Sequence, residues 1–147
     1  MSFKEVIPII NENYEEIKPL INQNNREHLT NVRAITLAIL DKYGLGYSDK
    51  IYSPIFQTEL SYRNINNTSN AVIPVTFEGS TIRSYKTTHT IVENQILCGI
   101  VALKKDVMLE ILKIQTYLRM LNLPMGLLIH FGKKELQIFG VRPYLKN

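Results

Sequence analysis

The chain has 147 residues, a net charge of +4 and 45% apolar side chains, which is enough for one domain with a real core and too little for two. No apolar run approaches the ~18 residues of a membrane span, and the N-terminus lacks the basic start and long apolar stretch of a signal peptide. Cys98 is the single cysteine, so neither a disulfide framework nor a cysteine zinc site can be built, and an intracellular protein that is not secreted is expected.

Residues 3–22 read as a helical start, with Val6, Ile7, Ile10, Tyr14, Ile17 and Ile21 at three- and four-residue spacing, interrupted by Pro8 and Pro19. Asn22 to Arg26 reads as a polar linker. Thr30 can cap a helix to Tyr43, with Val32, Ile35, Thr36, Ile39 and Leu40 on its apolar stripe and Gly44 closing it. After a glycine loop, a helix from Ser48 or Ser53 to Tyr62 follows. Pro54 suits the first helical position after a Ser53 cap and is awkward six residues into a helix capped by Ser48.

Asn64 to Asn70 is a polar loop without periodicity. From Ala71 the pattern changes to strands. Val72 to Phe77 is one, Glu78-Gly79 its turn, Thr81 to Val92 the next, Glu93-Asn94 a second turn, and Gln95 to Leu103 a buried strand. Val107 to Leu121 reads as a helix with a narrow polar strip at Glu110, Lys113 and Arg119, hence covered on both sides. Asn122 and Pro124 end it. The run MGLLIHF, residues 125–131, suits a strand buried on both faces, joined by a Gly-Lys-Lys turn to a last strand, ELQIFGV. The fold class is α+β, an α/β/α sandwich-like layer order, with the connection from the Gln95–Leu103 strand through the helix to the Gly126 strand a right-handed crossover. One domain spans 1–147, with residues 1–26 as a helical extension and 27–147 as the core.

Several short motifs occur in a familiar order. Gly46-Tyr-Ser-Asp49-Lys-Ile-Tyr52 matches the pattern GxxExxY with Asp for Glu. Val75-Thr-Phe77-Glu-Gly79, Tyr85-Lys86, Tyr117-Leu118 and Gly126-Leu-Leu-Ile-His130-Phe131-Gly132 follow. Together, over residues 30–143, the chain resembles the GxxExxY family of the PD-(D/E)XK nuclease-like superfamily, whose members occur in bacteria and large DNA viruses. The resemblance implies a restriction-endonuclease-like core. It also places the protein in the cytoplasm, the nucleoid or nucleus, or a viral factory.

Nucleases of this kind need an acid on one site strand and an Glu-x-Lys triplet on the next. Two carboxylates hold Mg²⁺, and the lysine positions the attacking water. Aligned to the family, the first acid falls at Thr88 or His89, and the triplet falls on Gly99-Ile100-Val101. The glutamine of the following helix becomes Lys113. Asp49 survives as an acid, with Glu59 behind it, although Asp49 reads equally well as a helix cap. The resemblance therefore implies a degenerate nuclease, with no metal, no cofactor and no catalytic residue, kept as a binding or scaffold module.

Lys86, Lys113 and Arg119 around the former cleft would then meet DNA or RNA, and exposed edge strands at 71–77 and 135–141 invite a homodimer. The remaining basic residues are scattered and also read as a solvated surface. A homodimeric protein-interaction domain without nucleic-acid binding is an equal alternative, and two metal-site readings stand beside it. His89, Glu93 and Asp49 form a displaced metal site of an active nuclease, or His28, His89 and His130 bind a metal.

Overall fold

The computed structural model describes residues 21–103 and 106–143, so the proline-broken helical start at 3–20 lies outside the described residues. Helix α1 spans Gln23–Tyr43. It begins seven residues before the Thr30 cap that its sequence suggests. Asn22 is the cap. Its side chain accepts from the backbone N–H groups of Asn24 at 2.8 Å and Asn25 at 3.0 Å. The Asn25 amide oxygen in turn accepts from the Asn22 N–H at 2.9 Å. This reciprocal pair is a capping box with asparagine in the place of glutamate, and it makes a helix start of the supposed linker. Thr30 sits inside, its hydroxyl donating to the Arg26 carbonyl. Leu29, Val32, Ile35 and Ile39 form the buried face.

Helix α2 runs Asp49–Tyr62 and keeps Pro54 in its interior, the arrangement the sequence reading thought awkward. Starting at Asp49 rather than Ser53 buries Tyr52 together with Phe56 and Leu60, spaced four apart on one face. The Tyr52 ring stacks on Phe131 with centroids 4.0 Å apart, and its hydroxyl donates to the Gly44 carbonyl at 2.7 Å. Those contacts offset the backbone hydrogen bond that Pro54 cannot make.

Seven strands follow: β1 Asn67–Thr68, β2 Val72–Phe77, β3 Ser80–Lys86, β4 Thr90–Val92 and β5 Ile96–Ala102, then, after α3 (Val107–Leu121), β6 Met125–Phe131 and β7 Leu136–Val141. The polar loop of the sequence thus contains a two-residue strand. The single strand expected over 81–92 is two strands in two sheets, because β2 and β3 form a separate hairpin while β1-β4-β5-β6-β7 form the main sheet. Hydrogen bonds at the junction explain the break. The Thr87 hydroxyl donates to the Ala71 carbonyl at 2.8 Å and accepts from the His89 N–H at 3.1 Å. A side chain that satisfies backbone groups in this way competes with the ladder and turns the chain.

The β5 and β6 strands are parallel, joined through α3, and their neighbours β4 and β7 are antiparallel to them. Every residue of β5 and β6 is buried, as the near-continuous apolar runs require. Alternation sends Ile96, Cys98, Ile100, Met125, Leu127, Ile129 and Phe131 to α1 and α2, and Leu97, Val101 and Leu128 to α3. The result is three layers, with the hairpin beside α3. Burial pushes the Cys98 thiol far above its ordinary pKa, as suits a small core side chain.

Two glycines let α3 lie close to the sheet. A Cβ on Gly126 would stand 2.7 Å from Ile114, and one on Gly99 would stand 3.1 Å from the same side chain. The opposite side of α3 departs from expectation. Met108, Leu109, Leu112 and Met120 are exposed, so the main sheet and the β2–β3 hairpin cover part of this helix and leave these apolar side chains open.

Candidate functional site

A cavity of about 260 Å³ opens where the N-terminus of α2, the β3–β4 junction, β5 and α3 meet. Asp49 reaches it from α2, Tyr85 to His89 from the junction, Val101 from β5, and Glu110, Lys113 and Tyr117 from α3. Each position follows from local structure. Asp49 is in the first turn of its helix, where a carboxylate complements the dipole. The junction is fixed by Ala71, which accepts from the N–H and hydroxyl of Thr87 and donates its own N–H to the His89 carbonyl at 2.8 Å.

His89 decides the chemistry. The β4–β5 register pairs Thr90 with Cys98, so His89 falls beside Gly99, one step further along the same ladder. A Cβ on Gly99 would lie 2.8 Å from the Cδ2 and Nε2 atoms of the His89 ring. The imidazole fills the space that a side chain at residue 99 needs. It is 8% exposed and meets the Tyr117 ring edge-on at 5.3 Å. Neither ring nitrogen has a hydrogen-bond partner among the described residues. Burial holds its pKa down at about 4, and the nearby Lys113 ammonium adds to the shift, so the ring is neutral at pH 7.

Tyr117 is pushed the other way, to about 12, by burial and then by the neighbouring Tyr85. The Tyr85 and Tyr117 rings lie 6.2 Å apart. Lys113 donates to the Glu110 carboxylate at 3.2 Å. The cavity lining therefore holds Asp49 and Glu110 against Lys86 and Lys113, a formal balance of charge.

The fold and these geometries agree with sequence comparison. Residues 26–140 match the profile of the PD-(D/E)XK nuclease superfamily. The chain belongs to that superfamily. Its fold is also similar to the crystal structure of SSO0001, with a TM-score of 0.53 and 15% identity over 97% of this chain. The chain spans 63% of the length of SSO0001. No curated protein matches it.

Of the positions marked by the sequence, Asp49, Thr88, His89, Val101 and Lys113 line the superfamily-type cavity, and Gly99 lies under the His89 ring. Lys86 lines it as well. Arg119 does not: it borders a separate hollow with Thr76, Thr116 and Met120. Glu59 is not behind Asp49 either, because it faces Arg63 at 3.7 Å on the surface of α2. Tyr85, Glu110 and Tyr117 are site residues that sequence reasoning did not select. The helical spacing of Glu110, Lys113 and Tyr117, on successive turns of α3, is the signal that could have found them.

A divalent metal does not fit this donor set. Mg²⁺ asks for carboxylate oxygens in near-octahedral geometry. Gly99 and Val101 offer none, and Glu110 is engaged by Lys113. The displaced arrangement of His89, Glu93 and Asp49 is not assembled. Glu93 sits at the far end of β4, accepting from the Asn66 N–H at 3.0 Å. His130 makes structural bonds instead: its Nε2 lies 2.8 Å from the Leu103 carbonyl oxygen and its Nδ1 3.3 Å from Gln137. Among the described residues no group of three histidines, cysteines or carboxylates is placed to hold a metal ion.

The orphaned imidazole carries a pH prediction. Its folded-state pKa lies below the ordinary 6.5, so protons are taken up preferentially by the unfolded chain. The associated stability is fully present above about pH 6.5 and is lost as the pH falls toward 4. The loss is on the order of 3 kcal/mol. Denaturant titrations at pH 7.5 and 4.5 should show that loss shrink in His89→Phe relative to the parent, since the other titrating groups are common to both.

Proposed function

We propose that this PD-(D/E)XK domain is a degenerate member of the GxxExxY branch. It no longer cleaves, and it serves as a binding module that contacts nucleic acid through the former active cleft. The observation that carries the reading is the fit of the His89 ring over Gly99. In this reading, residues 89 and 99 are the positions from which acids on two neighbouring strands would converge on a metal, and Val101, two residues on, shares the strand face of Gly99.

The electrostatics of contact are local. Lys86 has no ion-pair partner among the described residues and lies at the cavity mouth, free to meet a phosphate. Binding should be Mg²⁺-independent and should weaken steeply between 50 and 200 mM salt. Lys86→Ala should weaken it across all sequences and reduce the slope of log affinity against log salt by about one. Affinity indifferent to salt and to Lys86 would count against this reading.

A second copy of the chain is a further partner in this reading. Among the described residues, strand β7 ends the main sheet and is paired on one side only, which offers an edge for isologous pairing. Sedimentation over a hundredfold concentration range tests it, and a monomer throughout removes the dimer.

A further inference from the structure

We infer that the nucleic acid this site takes is single-stranded, with bases directed into the cleft and phosphates held at its rim. The inference rests on the binding-module reading above.

Two hollows are involved. The cavity over His89 adjoins a second, of about 240 Å³, that runs along α2 past Lys50, Ser53 and Gln57 to Asn70. Asp49 and Thr88 line both, so the two are immediate neighbours. Each hollow has room for a nucleobase and part of its sugar, and neither admits a duplex.

The distribution of charge points the same way. A cleft that seats phosphates has cations on its floor. Here the buried and half-buried part of the lining carries the Asp49 and Glu110 carboxylates, a neutral imidazole, the Thr87 hydroxyl and the Tyr117 ring, and Lys113 is already joined to Glu110. Lys50 and Lys86, cations without an ion-pair partner among the described residues, are exposed, one lining each hollow. Arg83 lies on β3, two residues before Tyr85 and so on the same face of the hairpin. A polar and aromatic floor with a cationic rim suits a strand whose bases are unpaired and turned inward. In a duplex the base edges are already paired and only phosphates reach the protein's surface.

Tyr85 supplies the third element. Its side chain is 53% exposed at the mouth of the cavity, tilted against Tyr117 behind it. An aromatic ring held from one side and open on the other is a stacking platform for a base, tolerant of sequence because every base has a π-face. His89 lines the hollow beside it, its ring nitrogens buried and without a hydrogen-bond partner among the described residues.

The test is fluorescence anisotropy of the full chain with a labelled twelve-nucleotide oligothymidylate and with a blunt duplex of equal length, both at 50 mM salt. The single strand should bind at least tenfold more tightly. Tyr85→Ala should weaken single-strand binding about tenfold, whereas Tyr85→Phe, which keeps the ring and loses the hydroxyl, should stay within twofold of the parent. The side chain is exposed, so the fold tolerates both changes, and a thermal melt verifies it. Equal affinity for duplex and single strand, or indifference to Tyr85→Ala, overturns this inference and leaves the nucleic-acid reading standing. No binding of either oligonucleotide overturns both.

Discussion

Gly99→Glu alone should destabilise the protein by about 3 kcal/mol or more, since the new side chain must displace the His89 ring and bring a carboxylate into a buried place. His89→Asp in the same chain should recover part of that loss, because it removes the clashing ring. The two changes are expected to be strongly non-additive, as neighbours that share one space are. Adding Val101→Lys would complete an acid pair and a lysine on adjacent strands. The triple variant should gain Mn²⁺ binding, measurable by calorimetry, where each single variant does not. Three independent, additive effects and no metal binding by the triple variant would mean that residues 89 and 99 are not a coupled replacement of a metal site.

The second large effect concerns how Asp49 is held. Tyr52 stacks on Phe131, in the middle of the core, and its hydroxyl bonds the Gly44 carbonyl in the loop that leads into α2. Phe131→Ala should lower stability by about 3–5 kcal/mol through the lost burial and the cavity left behind. Tyr52→Phe should cost only about 1 kcal/mol, but it frees the loop from which Asp49 enters the cleft. Denaturant unfolding separates the two variants. Hydrogen exchange at residues 44–49 should accelerate in Tyr52→Phe by more than that small loss of global stability accounts for. Equal protection in that loop would show that the hydroxyl is not what anchors it.

Much of the fold could be read from local chemistry. The runs at 96–102 and 125–131 are apolar on both faces and became the two buried parallel strands, and α3 has its predicted bounds, with Asp106 capping it and Asn122 ending it in the left-handed region. The turns at Glu78-Gly79 and Glu93-Asn94 also appear, each residue with positive φ. What could not be read depends on partners distant in sequence. A capping box built from Asn22 and Asn25 looks like a polar linker until the helix is seen. The break between β3 and β4 comes from Ala71, sixteen residues before the Thr87 that it binds. Pro54 is tolerated because Tyr52 finds Phe131 on a strand far along the chain.

The site was partly visible for the same reason. The superfamily pattern picked out Asp49, Thr88 or His89, Gly99, Val101 and Lys113, and these come together around one cavity. The pattern could not choose between Thr88 and His89. The strand register sets His89 beside Gly99, which is why the proposed reading takes His89. Nor could it show that Glu110 and Lys113 neutralise one another, or that Arg119, six residues after Lys113, borders a different hollow. Burial of His89, with its pKa held down, is likewise a product of packing under Tyr117 and has no trace in the residues on either side of it.

The most direct test of the central claim is a calorimetric titration of Mn²⁺ into the unmodified chain at pH 7.5, with a DNA cleavage assay on the same sample. A dismantled site predicts no binding in the micromolar range and no cleavage. Micromolar binding accompanied by metal-dependent cleavage, both lost in Asp49→Asn, would contradict it and show that a working metal centre is assembled from other residues.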